Sequence, residues 1–442
     1  MQNAAEPYES EQRRGSAALE TAVQRSERTG IGSGVLMPYR FRVLALLFLL
    51  IFVMYLDRLC ISVAGPRIQQ ELHLTPIQWG WVIGAFTIAY AAFEIPSGAL
   101  GDRIGPRRVL TRIVLWWSVF TAATGLVRTY PVLLLVRFLF GAGEAGSFPN
   151  SALTISRWTP ERERARSLSV LWVATGIGGI ATPLIVVAIQ KRYGWRPSLW
   201  LFGSLGILWS VVWQSWFRDR PSEPPGVPQD EIKLIGDRPA ARHSSAPWAK
   251  LLHDRNLLLL MLMYHCYCWG AYFYLSWIHT YLQVGRKLTE DQMKLGSALP
   301  PACGLLGVAL GGFLSDRLAR RHSLRVARCS IGSVSLIGSG ILLGAAGLTS
   351  DAWAAVWLLA AGLGVMNGML PVSWSLAVDL GREHSGAVSG AMNTAGQIGS
   401  FLSSVAFGYM VESFGSYDRA LLPLAFMLVL SGSTFALIKP EG

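Results

Sequence analysis

Four charged side chains lie inside apolar stretches of the chain. Asp57 and Arg58 fall within the first apolar run, and Arg137 and Glu144 fall within the fourth. An ionised side chain at the centre of a membrane costs about 2.5–3.5 kcal/mol even on the most lenient insertion scale. A buried carboxyl group can take up and release a proton, and a guanidinium can bind an anion through its planar fork of donors. The four residues therefore predict anion binding together with movement of protons.

Twelve apolar runs supply the elements that must position these charges. Of the 442 residues, 52% are hydrophobic and only 15% are charged, whereas a soluble protein has about 25% charged residues. A run of about 20 residues can cross a hydrocarbon core that is about 30 Å thick. The composition predicts an all-α membrane protein with twelve transmembrane helices. The runs lie at 41–64, 79–100, 109–128, 131–155, 167–190, 198–217, 257–282, 292–314, 328–348, 352–377, 387–411 and 420–438.

Basic residues concentrate at the termini and in alternate loops. Most of the 39 Lys and Arg residues lie there, and this positive-inside distribution predicts that both termini are cytoplasmic. It also accounts for the net charge of +12 without a nucleic-acid partner, since the basic clusters are short and have no interleaved aromatic residues for stacking bases. Residues 1–37 are polar and contain no apolar signal segment, which predicts a disordered cytoplasmic tail.

The chain repeats after a hydrophilic segment. Residues 218–256 are rich in proline and charge and are predicted to form a cytoplasmic linker between six-helix bundles at 38–217 and 257–438. The loop that begins at Gly98 recurs at Gly312, 214 residues later. Two such related halves are typical of transporters whose binding site lies near the midplane, between the halves.

The repeated loop resembles the signature of the major facilitator superfamily. The resemblance implies twelve helices in two six-helix pseudo-repeat bundles with alternating access. We interpret the loop as a conformational latch and topology anchor, with glycines that permit close helix approach and with Asp102 facing a helix N-terminus. The loop residues are Gly98, Asp102, Arg103, Gly105, Arg107 and Arg108 in the first half, with Asp316 and Arg317 in the degraded second copy.

Other stretches resemble the anion:cation symporter branch of that superfamily, which includes permeases for hexonates, hexuronates and aromatic acids. They include Tyr55-Leu-Asp-Arg58 with the following Ser62-Val-Ala-Gly-Pro66, and Gly143-Glu-Ala-Gly-Ser-Phe148. The resemblance implies that Asp57 and Glu144 are proton-coupling acids and that Arg58 and Arg137 are essential basic positions. The chain departs from the branch at Glu94, His279 and Gln397, where Gln, Pro and Asn are usual. The substrate is therefore left open.

Helical geometry relates the four charges. Arg137 and Glu144 are seven residues apart and share one face of a helix, whereas Asp57 and Arg58 diverge by about 100°. We expect Arg58 to face the cavity and hold the anion, and Asp57 to turn toward Arg137. Arg137 is grouped with the substrate-binding residues, although we expect it mainly to tune the acids. The alternative is that the four charges form static interhelical ion pairs.

Neutral polar residues complete the predicted site. Tyr55 and Tyr90 are candidates to hydrogen-bond substrate hydroxyls, with core packing as the alternative. In the second half the candidates are Ser373, Trp374, Asn393 and Gln397, with interhelical hydrogen bonding as the alternative. Glu94 is either a third titratable group or a residue that snorkels near the loop, and the role of His279 is open.

Several other classes of function are not favoured. Gly141-Ala-Gly-Glu-Ala-Gly146 matches a dinucleotide motif in letters, but it lies in an apolar helix without a preceding strand, where small residues instead allow close helix packing. No metal motif, cofactor motif or catalytic constellation is evident, so we predict neither a cofactor nor an enzyme.

The favoured function is secondary active transport. We predict a monomeric inner-membrane protein that takes up a small organic carboxylate, a sugar acid or an aromatic acid, together with protons. A carrier coupled to Na⁺, an exchanger or an exporter of the same fold is the alternative. A non-transporting membrane sensor or enzyme is a remote one.

Overall fold

The computed structural model describes residues 37–236, 253–323, 325–381 and 384–439. The described residues are predominantly helical. Residues 1–36 of the predicted tail (1–37) and residues 237–252 of the predicted linker lie outside the described residues. By its contacts the chain divides into a unit that ends at Arg42 and a compact unit from Val43 to Gly442, and the site described below belongs entirely to the second unit.

The N-terminal half consists of the helices up to residue 216. Most are long enough to cross a membrane, and short turns separate them. The helices are α1 Tyr39–Glu71, α2 Pro76–Ile104, α3 Pro106–Thr124, α4 Tyr130–Glu144, α5 Ser147–Trp158, α6 Arg164–Tyr193 and α7 Arg196–Trp216.

A short helix, α8 Gln229–Ile235, lies in the segment before the C-terminal half. The first helix of that half, α9, is followed by a single turn at Ile278–Thr280 and a π-helical turn at Tyr281–Gly285. The helices of the half are α9 Arg255–Ser276, α10 Glu290–Ala319, α11 Ile331–Leu348, α12 Ala352–Asn367, α13 Leu370–Gly381, α14 Ser385–Phe414 and α15 Tyr417–Ala436.

Nine helical stretches of the described chain are long and apolar enough to cross a membrane. Three of the twelve predicted crossings fall outside this set, and each corresponds to a helix of at least 19 residues: α3, α7 and α14. The architecture confirms the all-α membrane fold with two related halves.

The repeat extends to the helix beginnings. At the start of α2, Thr75 Oγ1 accepts from the backbone N–H of Gln78, and the Gln78 side chain accepts from the backbone N–H of Thr75. Thr289 and Gln292 form the same reciprocal cap at the start of α10. Such a capping box satisfies N–H groups that have no partner within the helix. Thr75 and Thr289 are 214 residues apart, the same offset as the repeated loop.

The fourth crossing of each half is interrupted, which corrects the continuous runs predicted at 131–155 and 352–377. In the N-terminal half the break follows Glu144, where Ala145 leaves the helical conformation (φ −56°, ψ 135°) and Gly146 has φ = +90°. This left-handed conformation favours glycine. In the C-terminal half the break lies between Asn367 and Leu370. The first break places Glu144 at the end of α4, in the interior of the protein.

Close packing between α2 and α4 depends on Gly141. A Cβ atom at this position would lie 2.4 Å from the carbonyl oxygen of Phe86, so Gly141→Ala must push the two helices apart. We expect this substitution to destabilise the protein by about 1–3 kcal/mol and to lower its melting temperature by several degrees.

The matched control is Gly390→Ala in α14, where an added Cβ meets nothing within 4 Å. Thermal unfolding of the purified variants in detergent compares the two. Equal melting temperatures for Gly141→Ala and Gly390→Ala would contradict the close packing of α2 on α4.

Candidate functional site

A cavity of about 190 Å³ lies between the two halves and has two charged residues, Arg58 and Glu94, in its wall. We call it the charged cavity. Its remaining wall is mostly aromatic and polar, and it adjoins a second cavity that shares Tyr55, Trp172 and Tyr264. The wall consists of Tyr55, Arg58, Tyr90, Glu94, Phe148, Trp172, Tyr264, Tyr267, Cys268, Ala271, Tyr272, Leu275, Trp374, Asn393, Gly396, Gln397 and Ser400.

Arg58 forms a buried ion pair with Glu144. Its Nε donates to Glu144 Oε1 at 2.8 Å, and its Nη2 contacts the same oxygen. The Glu144 side chain is fully buried, whereas 11% of the Arg58 side chain is exposed. The Arg58 guanidinium also lies 5.0 Å from the ring centroids of Phe86 and Tyr90. These contacts hold the guanidinium at the cavity wall with its carboxylate partner behind it.

Arg137 packs against Phe86 and Phe140 and does not line the charged cavity. Its guanidinium is 5.0 Å from the centroid of Phe86 and 4.6 Å from that of Phe140, and the residue is 3% exposed. Among the described residues it forms no ion pair. The predicted substrate contact of Arg137 therefore has no geometric support. A buried cation at this position instead acts on the neighbouring acids through its charge.

Asp57 points toward α3. Its Oδ2 accepts from Trp117 Nε1 at 3.1 Å, so its hydrogen bond goes to the third crossing and not to Arg137 as expected. Asp57 Oδ1 and Glu144 Oε2 are both buried and have no hydrogen-bond partner among the described residues. A buried polar atom without a partner is rare in proteins. Each of these two oxygens is a position at which a proton is accommodated without displacing an existing donor.

The C-terminal half contributes three of its four predicted residues to the cavity. Trp374, Asn393 and Gln397 line the wall, and Gln397 Oε1 accepts from Tyr272 at 3.4 Å. Ser373 is fully buried and donates to the Leu370 carbonyl within its own helix at 2.9 Å. The predicted contact of Ser373 with substrate therefore lacks geometric support.

Glu94 connects the two halves across the cavity. Its Oε2 accepts from Asn393 Nδ2 at 2.9 Å. The residue lies in α2, and Asn393 lies in α14. Glu94 lines the charged cavity, and its hydrogen-bond partner is a polar group of the other half. Its side chain therefore belongs to the cavity wall and does not snorkel toward the membrane surface.

The two histidines of the seventh crossing have structural contacts. His279 is buried, and its Nδ1 is 3.0 Å from Ser62 Oγ of the other half. His265 Nδ1 lies 3.0 Å from the carbonyl of Ala395, and its Nε2 accepts from Trp269. No group of His, Cys, Asp and Glu in the described part of the chain is arranged to hold a metal ion.

The start of α3 is capped by an acid from another part of the chain, Asp219, which lies just beyond the end of α7 and was not predicted from the sequence. Asp219 Oδ1 accepts from the backbone N–H of Arg107 at 2.9 Å, in the first turn of α3. A Cβ at Gly105 would lie 2.4 Å from Asp219, so the glycine makes room for this carboxylate. The acid at the helix N-terminus is thus Asp219, while Asp102 is exposed. The Arg107 side chain contacts the Gln214 carbonyl, which ties the loop to α7.

Contacts between the halves concentrate where α1 ends. Arg67 forms a bidentate ion pair with Glu290, with N–O distances of 2.6 and 2.8 Å. Lys191 pairs with Asp291 at 2.5 Å. Ser62 Oγ donates to the Ser276 carbonyl, and Gln69 donates to Thr280. We call this set the closed end, and it comprises Ser62, Arg67, Gln69, Lys191, Ser276, Thr280, Glu290 and Asp291.

The fold and the cavity define a polytopic membrane carrier with an interior site. The sequence profile of the Major Facilitator Superfamily matches residues 47–404. The chain belongs to this superfamily, and it is accordingly a membrane transporter and not an enzyme.

Relatives and solved structures agree with that assignment. The chain is 34% identical to the probable sulfoacetate transporter of Cupriavidus necator, over 91% of this chain and 94% of that protein. It is 30% identical to the hexuronate transporter of Bacillus subtilis, over 86% and 90%. Its fold is similar to an inward-facing, unoccupied bacterial homologue of the human lysosomal transporter Spinster, with a TM-score of 0.75 and 19% identity, covering 92% of this chain and 98% of that one.

Proposed function

We propose that this protein takes up a small organic carboxylate across the inner membrane together with protons, by alternating access. The observation that carries the proposal is the Arg58–Glu144 ion pair at the wall of the charged cavity. A guanidinium is always charged and offers several donors, so donors not used by Glu144 remain for a carboxylate or sulfonate. The anion and Glu144 then share one arginine.

Sharing one arginine supports coupling to protons. When an anion takes up part of the Arg58 charge, the negative charge of Glu144 is less well balanced, and its affinity for a proton rises. The unpartnered Oε2 of Glu144 accepts that proton. Asp57 provides a second such position beside α3. Arg137 contributes a fixed positive charge beside Phe86 and Phe140, which limits how readily either acid becomes neutral.

The functions of the relatives support an anionic substrate. They are described as transporters of sulfoacetate, hexuronate, and galactarate and D-glucarate. Each of these compounds combines a carboxylate with sulfonate, hydroxyl or second carboxylate groups. The cavity matches this chemistry with one guanidinium, an amide at Gln397 and the hydroxyls of Tyr55 and Tyr90.

Binding of a small panel of acids tests the substrate class. Purified protein in detergent is mixed with sulfoacetate, D-glucuronate, D-glucarate or benzoate, and the melting temperature is measured. At least one acid is expected to raise the melting temperature in a saturable way, because a ligand that binds only the folded state stabilises it. Uncharged D-glucose is the control. A shift with glucose equal to that with the best acid, or no shift with any acid, would contradict the proposal.

Alternating access requires the closed end to separate. We expect that Arg67→Cys combined with Glu290→Cys, joined by a short bifunctional thiol reagent with a reducible spacer, abolishes uptake in proteoliposomes. Reduction of the spacer is expected to restore it, since the link holds the two halves together where their ion pair now lies.

A matched pair of cysteines controls for the chemistry. Arg196 and Glu71 form an ion pair at 2.6 Å near the same end, but both belong to the N-terminal half. Cross-linking Arg196→Cys to Glu71→Cys is expected to leave uptake unchanged. Full uptake by the linked Arg67–Glu290 pair would show that the closed end does not open during transport.

A further inference from the structure

Glu94 adds a carboxylate to a cavity that already contains a balanced ion pair. Among the described residues of the cavity wall, Arg58 is the one cation and Glu94 the one carboxylate. The charge of Arg58 is matched by Glu144, which lies behind it and is fully buried. With Glu94 ionised, this part of the site carries a net negative charge before any substrate enters.

The surroundings of Glu94 offer it no compensating cation of its own. Its Oε2 accepts from the neutral amide of Asn393, and among the described residues no hydrogen bond reaches its other oxygen. Besides Glu94, the titratable or charged residues that line the cavity are Tyr55 and Arg58 from α1, Tyr90 from α2, and Tyr264, Tyr267, Cys268 and Tyr272 from α9. The wall residues from α5, α6, α13 and α14 are all neutral.

An anion in this cavity meets the Glu94 carboxylate at short range. Two like charges about 4 Å apart at a partly solvated protein site repel strongly enough to weaken binding by about 1000-fold. Protonation of the carboxyl removes this repulsion and leaves its hydrogen bond with Asn393 possible. A neutral carboxylic acid also offers an O–H donor to the incoming anion.

We propose that Glu94 binds a proton together with each organic anion, so that the proton and the substrate occupy the same cavity. This inference rests on the proposed function, since it requires an anionic substrate. It assigns to Glu94 a coupling role separate from that of Asp57 and Glu144, which do not line the cavity. Because Asn393 donates a hydrogen bond to Glu94, this carboxyl group of the N-terminal half also contacts the C-terminal half.

Calorimetry of ligand binding counts the protons directly. Sulfoacetate and D-glucuronate are titrated into the purified protein at about pH 8.5 in buffers of different ionisation enthalpy, and the dependence of the measured heat on the buffer gives the number of protons taken up. We expect Glu94→Gln to take up about one proton fewer per bound anion than the wild type. Each proton that is taken up with the anion makes the affinity for the anion fall tenfold per unit rise in pH. We therefore expect the affinity of Glu94→Gln to fall less steeply with pH than that of the wild type, by one factor of ten per pH unit.

The matched control is Glu412→Gln. Glu412 lies in α14 and, like Glu94, contacts the other half: its Oε1 accepts from the backbone N–H of Ile77 at 3.2 Å. Unlike Glu94, it does not line the cavity. This variant is expected to take up as many protons as the wild type. Proton uptake by Glu94→Gln equal to that of the wild type would overturn the inference while leaving the proposed function intact.

Two further results would also overturn it. Taurine carries an ammonium group where sulfoacetate carries a carboxylate, so an ionised Glu94 favours taurine. If wild-type protein binds taurine more tightly than sulfoacetate and Glu94→Gln loses that preference, Glu94 acts as a charged partner for zwitterions and not as a proton carrier. Failure of the wild type to bind sulfoacetate, D-glucuronate, D-glucarate or benzoate would remove the proposed function and this inference together.

Discussion

Arg58→Lys is expected to bind the organic acid about 10- to 100-fold more weakly than the wild type, although the positive charge is kept. In the structure Arg58 contacts Glu144 through two of its nitrogens while its plane lies near the rings of Phe86 and Tyr90. An ammonium group is a compact point charge, and it cannot pair with Glu144 and present a planar fork to a second carboxylate at the same time. The expected loss corresponds to about 1.4–2.8 kcal/mol of binding free energy.

The measurement is a binding titration of the acid that gives the largest thermal stabilisation of the wild type. Arg192→Lys is the matched control, because Arg192 is exposed at the end of α6 and does not line the cavity. The melting temperature without ligand reports whether the Arg58→Lys variant is folded. A folded Arg58→Lys protein with wild-type affinity would contradict the assignment of Arg58 to the anion.

Glu144→Gln is expected to lose accumulation driven by a proton gradient while retaining exchange of substrate across the membrane. The amide has nearly the same shape and still accepts a hydrogen bond from Arg58, but it cannot take up a proton. Without the Glu144 carboxylate, the charge of Arg58 has no buried negative partner. The guanidinium therefore remains available to the anion, and the substrate still binds. We expect net accumulation to fall at least tenfold and counterflow to stay within about threefold of the wild type, where tenfold corresponds to 1.4 kcal/mol.

Asp57→Asn tests the second acid in the same assay. It keeps an oxygen that can accept from Trp117 and likewise removes the titrating group, so its net accumulation is also expected to fall. Glu412→Gln serves as the control for loss of a glutamate outside the cavity. Wild-type accumulation by Glu144→Gln would contradict a coupling role for this residue, whatever the result for Asp57→Asn.

Much of the fold follows from patterns that are local in the sequence. The apolar runs predict the membrane crossings because the length of a run is set by the thickness of the bilayer. The repeated loop predicts two related halves, and the matching caps at Thr75 and Thr289 extend this relation. The buried charges stand out because their burial is costly.

The pairing of those charges is not a local property. Arg137 and Glu144 share a helix face by spacing, yet Glu144 pairs with Arg58, which is 86 residues away and belongs to α1. The choice depends on how α1 and α4 rotate about their axes when they pack, and on the ring of Phe86, which contacts both arginines. The break after Glu144 also contributes, since Gly146 is followed by a new helix.

Contacts between the two halves likewise could not be predicted from a single sequence. Glu94 and Asn393 are 299 residues apart, and Arg67 and Glu290 are 223 apart. At such separations, no helical spacing rule predicts from the sequence that the two residues of either pair are in contact. The departure from the branch at Glu94 was nevertheless a usable signal, because a carboxylate at a position where an amide is usual changes the charge of the site.

The most direct test of the central claim is uptake of a radiolabelled organic acid by the wild-type protein in proteoliposomes, with an imposed proton gradient and the membrane potential held at zero. We expect acidification of the outer compartment to drive the acid above its equilibrium concentration inside, and a protonophore to abolish this accumulation. Accumulation that ignores the proton gradient but follows an imposed Na⁺ gradient, or that requires a second anion inside, would contradict proton coupling.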